Sequence, residues 1–182
     1  TFATSGPRMK VRLFAGYDLN DNNLNGAEQL QEAYSDGVAM GSEIQARNGD
    51  TPRLLAWAAR DPDSAALQRL QIVKGWSVNG ENFEKVYDVA CSDGGSVDPE
   101  THRCPDNGAT VDLGSCAISP DLGAGELRAG WVDPDFNPEH RAFYYVRALE
   151  NPTCRWSTWD ALRAGVTPRD DLPATIQERV WS

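Results

Sequence analysis

The chain has 182 residues, 40% of them apolar, with a formal net charge of -10. That length suits one domain, or one and a fraction, and the apolar share excludes a disordered chain. The acidic balance argues against a nucleic-acid partner and suits an anionic membrane surface no better. No apolar run approaches the roughly 18 residues of a membrane helix, so membrane insertion is not expected. The chain opens on Thr1 with no signal peptide, as a processed or excised piece would.

Residues 1–8, TFATSGPR, read as a linker or as the end of an upstream catalytic unit. That leaves 9–182 as the domain. Met9 to Asp18 predicts a strand, with Val11, Leu13 and Ala15 alternating with Arg12 and Phe14. The segment DLNDNNLNGAEQ places Asp18, Asn20 and Asn22 at the first, third and fifth positions of a calcium loop. It has Asn23 where the sixth residue should be Gly and Gln29 where the twelfth should be Glu, so a polar turn is the better reading. Ala27 to Ser35 predicts a short helix ended by Gly37. In AYSDGVAMGSE the glycines and small residues predict a turn packed close to another backbone. Leu54 to Arg60 is a short apolar strand closed by Asp61-Pro62.

Arg69 to Cys91 predicts the central hairpin. Leu70, Ile72 and Trp76 share one face, Gln71 and Val73 the other, and Tyr87, Val89 and Cys91 repeat the spacing. Asn79-Gly80 accepts the positive φ angles of the turn between them. Residues 92–122 form a long irregular insert rich in Asp, Gly and Pro. Such a loop needs a staple, because it cannot hold itself by packing. The cysteines Cys91, Cys104, Cys116 and Cys154 surround it, with none of the C-x-x-C spacing of zinc or redox motifs. We favour Cys91–Cys104 with Cys116–Cys154, although the sequence itself does not choose among the three possible pairings. Disulfides imply export to the periplasm or beyond. Asp and Gly are what turns are made of, so calcium in the 92–122 loop is not expected.

Glu126 to Val132 predicts a strand, and DPDFNP a turn. Arg141 to Glu150 is apolar on both faces, the mark of a central strand. Trp156 to Ala164 is weakly helical, and Thr175 to Trp181 predicts a last strand. The whole is a mainly β chain: a β-sandwich of about seven short strands with one or two small helices.

Chemistry is sparse. His102 and His140 have no neighbours at metal-ligand spacing. There is no G-x-S-x-G elbow and no phosphate loop. We therefore assign no catalytic residue, metal ligand or cofactor to this chain. Trp57, Trp76 and Trp131 sit in strands and are expected in the core. Trp156 and Trp159 are the candidates for exposed, ligand-stacking aromatics.

Several segments carry a resemblance: TFATSGPRMKVRLFAGYD, AYSDGVAMGSE, LQRLQIVKGW, EKVYDVACSDG, HRCPDNGA, WVDPDFNPEHRAFYYVRALENPTCRWSTWDAL and IQERVWS. Together they resemble the C-terminal part of a bacterial family known as domain of unknown function 3604. The resemblance implies longer proteins whose N-terminal part looks like a metal-dependent hydrolase of the polymerase-and-histidinol-phosphatase type. The divalent metal belongs to that upstream part, and no ligand position of it is matched here. Thr4, Ser5 and Arg8, in the stretch that joins the two parts, could line a phosphate-sized pocket, since arginine grips oxyanions bidentately. The leading expectation is a non-catalytic domain acting as scaffold or substrate-entrance wall, with the upstream catalytic domain as its partner. The rivals are a carbohydrate or cell-envelope binding module resting on Trp156 and Trp159, and a self-contained hydrolase using paired carboxylates.

Overall fold

The computed structural model describes residues 1–24, 26–47 and 49–182, without the side chains of Asn22, Asn23, Ala27 and Gln29. The deciding positions of the calcium-loop pattern, Asn23 and Gln29, therefore lie outside what is described.

In chain order the elements are β1 (Ala3–Thr4), β2 (Lys10–Gly16), a 3-10 turn (Asp21–Leu24), α1 (Ala27–Asp36), β3 (Val38–Ala39), β4 (Arg53–Ala59), β5 (Leu67–Val78) and β6 (Glu81–Cys91). There follow β7 (Val111–Asp112), β8 (Ala117–Ile118), β9 (Glu126–Val132), β10 (Arg141–Glu150), β11 (Thr153–Cys154), α2 (Trp156–Ala164), β12 (Thr175–Ile176) and β13 (Arg179–Trp181). Two antiparallel sheets carry the fold, in the orders β1-β13-β10-β5-β6 and β3-β2-β4-β9. Two small ribbons, β7-β8 and β11-β12, complete it.

The sandwich follows from alternation. Val11, Leu13, Leu54, Ala56, Ala58 and Leu127 point inward from one sheet. Leu70, Ile72, Val146, Ala148 and Val180 meet them from the other. Each fully buried aliphatic of this kind contributes roughly 1.5–3 kcal/mol of transfer free energy. The outer face of the four-stranded sheet is covered as well. Phe14 and Leu55 pack there with Leu19, Leu24 and Ala33, so α1 lies across that face. Gly37 makes the return possible, because a Cβ there would come 2.9 Å from the Ala15 carbonyl oxygen.

The central hairpin forms as the dipeptide predicts. Asn79 and Gly80 have φ of 52° and 85°, which only a short polar residue or glycine accepts readily. The pairing slips between Leu70 and Gln71, where Asp88 faces Gln71 and Ala90 faces Leu70. Val89 is the extra residue of that bulge, so the spacing of Tyr87, Val89 and Cys91 does not continue on one face. β10 is central, between β13 and β5. The predicted last strand is divided. Gln177 leaves the ladder to donate to Gln68 and to the Glu150 carbonyl, and β12 and β13 pair in different sheets. Residues 1–8, expected as a linker, contribute β1, which pairs with β13.

The cysteines pair Cys91–Cys104 and Cys116–Cys154, across separations of 13 and 38 residues. The first closes the start of the insert; the second ties the β7-β8 ribbon to β11. In the chain-entropy picture each contributes roughly 3–4 kcal/mol.

The strand directions give the sandwich two ends. One holds the insert, α2, residues 1–8 and the end of β10. The other holds the end of β2, the start of β10 and the turn between β9 and β10. At the first end Glu150 is fully buried, its Oε2 accepting from Ser64 at 2.6 Å and its Oε1 without a partner among the described residues. Burial raises its pKa to about 7, helped by the negative charges of Glu178 and Asp61. An acid with a raised native pKa lowers stability as pH climbs from its unfolded value toward its folded one. Glu150→Gln should therefore gain on the native protein between about pH 4.5 and pH 7, by roughly 3 kcal/mol at the upper limit. Urea titrations of both proteins across that range check this; a constant difference would contradict it.

Candidate functional site

The open end of the sandwich holds a cleft of ≈ 720 Å³. Its floor is apolar, with Leu13, Ala15 and Leu54 from the four-stranded sheet and Tyr144 from β10. One wall is the segment after β3, which brings Ser42, Glu43 and Gln45; the other is the turn into β10, with Asn137, His140 and Arg141.

Beneath the second wall lies a buried polar network. Lys74 is 2% exposed, on the core-facing phase of β5 between Ile72 and Trp76. Its ammonium donates to Asp133 Oδ2 at 2.5 Å and to the Asp135 carbonyl at 2.7 Å. Asp133 Oδ2 also accepts the Tyr144 hydroxyl at 2.6 Å, and its Oδ1 accepts the Asp135 amide at 2.9 Å. Asp135 Oδ2 takes the Tyr87 hydroxyl and the Lys85 ammonium, both at 2.6 Å. Burial and these carboxylates push both tyrosine hydroxyls far up, so they remain protonated donors. Lys85 and then Tyr87 hold Asp135 below the usual carboxylate range. The Tyr87 ring in turn packs on Trp131 at 4.8 Å and on His102 at 5.0 Å. The turn of residues 133–140 is thereby fixed to the central hairpin and, through Tyr87, to the stapled insert.

The sequence candidates lie elsewhere. Thr4 pairs with Val180 in the sheet. Ser5 donates to the Glu178 carboxylate and accepts from the Arg179 amide at 2.8 Å. Arg8 pairs with Asp61 at 3.4 Å and Asp63 at 2.5 Å. All three sit at the stapled end, about the length of β2, roughly 20 Å, from the cleft. An oxyanion at Arg8 would compete with two carboxylates already there. Trp156 and Trp159 are 72% and 38% exposed on α2, and Arg163 lies over the Trp159 ring at 5.3 Å. Trp57, Trp76 and Trp131 are half-buried; Trp131 packs against the core between the sheets and Trp57 against the cluster under α1, while Trp76 joins neither. Trp57 sits under Arg12 on the outer face of its sheet, and Trp76 stacks on Phe83 near the hairpin turn.

The insert's carboxylates cap turns. Asp98 accepts from Thr101 and from the Glu100 amide, Asp112 from Ser115 and the Gly114 amide, and Asp93 from Ser92, Asn107 and the Gly123 amide. These bonds hold all three below the usual carboxylate range. Among the described residues no group of three His, Cys, Asp or Glu side chains is placed to hold a metal ion. The strongly shifted carboxylate, Glu150, is sealed at the far end and does not line the cleft.

The model of a family described as "Protein of unknown function (DUF3604)" matches residues 1–182, the entire chain. The chain belongs to that family. No curated protein and no solved structure matches it.

In this DUF3604 chain the network under the cleft is the feature that the sequence reading missed. Its signal was Lys74, a cation on the core phase of a strand, together with two carboxylates in DPD. Removing one member of a buried pair leaves the other charge uncompensated. Lys74→Met should therefore destabilise the protein by about 3–5 kcal/mol, measured by denaturant unfolding. Lys85→Met, which removes a partner only half withdrawn from solvent, should cost under about 1 kcal/mol.

Proposed function

We propose that this chain is a non-catalytic domain of a larger, exported, metal-dependent hydrolase of the phosphoesterase kind, serving as scaffold or substrate-entrance wall. The observation that carries this reading is the tryptophan face of α2. Trp156 is 72% exposed on a helix that is rigidly mounted. Cys154, just before it, is in a disulfide, and the Arg155 amide and Thr158 hydroxyl both donate to the Ala174 carbonyl, at 2.9 and 2.8 Å. Val166 and Leu172 follow as further exposed apolar residues, and the disulfide tethers the ribbon bearing Leu113 and Ile118 close by. Burying one such indole is worth roughly 3 kcal/mol, so a fixed face of this kind suits docking against the upstream domain of the same polypeptide. On this reading the divalent metal belongs to that upstream domain. The two disulfides agree with a periplasmic or secreted location, and no helix among the described residues is long and apolar enough to cross a membrane.

The same tryptophans favour a second reading, a carbohydrate or cell-envelope binding module, in which the indoles stack on sugar rings. One pair of variants separates the two. The separately produced upstream part should bind this chain in sedimentation velocity, and Trp156→Ala with Trp159→Ala should weaken that binding at least tenfold. If the variant binds as well as the native chain but loses retention on a polysaccharide column, the second reading replaces the first.

A further inference from the structure

The two sheets end differently on the flank of β3 and β13. β10 pairs with β5 from Arg141 to Glu150, but on its other side β13 covers only Arg147 to Leu149. Ser182 closes that pairing: its amide donates to the Val146 carbonyl and its Oγ accepts the Val146 amide, both at 3.0 Å. Backbone groups alternate sides along a strand, so the N–H and C=O of Ala142 and Tyr144 point the same way as those of Val146. No strand among the described residues pairs with them. The open edge from Arg141 to Tyr145 is about 14 Å long. The facing sheet is complete at this end, where β3 pairs with Phe14 and Ala15 and the Met40 amide donates to the Leu13 carbonyl at 2.9 Å. Opposite β3 the sandwich has the cleft in place of a strand, and the lining runs from Ala39 and Met40 across Leu13 and Ala15 to Ala142 and Tyr144. The edge is also unguarded. Ala142 to Val146 carries no charge, whereas β6, the edge strand of the opposite flank, carries Glu81, Glu84 and Lys85. Exposed edges are ordinarily protected from pairing by such charges or by proline.

We propose that the open edge of β10 takes an extended segment of a partner protein as an added strand, antiparallel to β10 and in line with β13. The backbone groups of Ala142 and Tyr144 specify this occupant, since two donors and two acceptors at strand spacing match another backbone. Register then sets its side chains. Residues opposite Ala142 and Tyr144 share their face and point into the cleft toward Leu13, Ala15 and Met40, so they are apolar. The residue between them falls opposite Phe143 on the outer face. Phe143 is 61% exposed, with its ring over Gly75 and stacked on Tyr145 at 6.4 Å, and it favours an aromatic or β-branched neighbour. The polar lining residues Ser42, Glu43 and Gln45 stand across the cleft, on the side of the added strand's own outer edge. The proposal is independent of the role assigned to α2, which lies at the opposite end of the sandwich.

The probe is the capped peptide acetyl-Thr-Val-Tyr-Val-Thr-amide, whose valines fall opposite Tyr144 and Ala142. It is titrated calorimetrically into the native chain, beside one form N-methylated at the first valine and one N-methylated at the tyrosine. The valine N–H points at β10 and the tyrosine N–H away from it. Saturable binding is expected, about tenfold weaker for the valine-methylated peptide than for the tyrosine-methylated one. Amide exchange followed by NMR gives a second readout: Ala142 and Tyr144 should exchange readily in the free chain and at least about tenfold more slowly with peptide bound. Ala142→Pro removes an N–H that faces away from β5, a position where an edge strand accepts proline, and it should lose the binding with unchanged circular dichroism. The assignment is overturned by no saturable binding, by equal binding of the two methylated peptides, or by unchanged exchange at Ala142 and Tyr144 under saturation. It is also overturned if the native chain dimerises in sedimentation velocity and Ala142→Pro does not, because a second copy would then hold the edge.

Discussion

The ion pair between Lys74 and Asp133 is the constraint on which the open end of this molecule depends. Both side chains are almost wholly withdrawn from solvent, at 2% and 1% exposed. Isolated charges at such depth are very costly. Here the cost is offset by further hydrogen bonds: Tyr144 and the Asp135 amide also donate to Asp133, and the Asp135 carbonyl takes a second ammonium proton. Aliphatic side chains could fill the same space with equal stability, but they would not dictate where the 133–140 turn sits. The polar network does dictate it, and with it the positions of His140 and Arg141.

The opposite end is built by other means. There the chain has little apolar material, and order comes from disulfides and capped turns. The buried Asp88 shows how the two devices meet. It accepts from Gln71 at 2.6 Å and from the Cys104 amide at 2.7 Å, so the first disulfide loop is moored to the sheet. Asn107 does similar work, donating to Asn151, Asp93 and Ser92 and joining the insert to the end of β10. One end is thus a rigid platform for exposed tryptophans, and the other a rigid cleft. The hydrophobic core between them keeps the two apart.

The fold was largely legible in the sequence because alternation and turn chemistry are local. Asn79-Gly80 announced the hairpin, and Phe143, Tyr145 and Leu149 opposite Tyr144, Val146 and Ala148 announced a central strand. Among the described residues seven strands longer than two residues form, as the pattern suggested, and six two-residue strands add to them. Those short pairings, such as Ala3–Thr4 on β13, have no periodicity to detect, since register over two residues is set by what lies alongside. The bulge at Val89 was equally invisible, because it is imposed by the mooring of Asp88. The cleft was not legible at all. Two of its lining residues, His140 and Arg141, are ordinary residues after a proline-rich turn, and the network beneath them joins residues 59 and 61 positions apart. A cation on the core phase of β5, together with the two carboxylates of DPD, was the clue. It could have been followed only by asking which carboxylates must accompany it underground.

The central claim, that a buried ion pair locks the 133–140 turn to the hairpin, is tested most directly by native-state amide hydrogen exchange. The amides of Asp135, Phe136 and His140 are bonded within that turn, at 2.9, 3.3 and 3.1 Å. They should exchange with the same opening free energy as the core strands, and in Lys74→Met they should exchange far faster than a core that remains protected. Fast exchange of these amides in the native protein, while β5 and β10 stay closed, would show that the turn moves independently of the pair and would contradict the account.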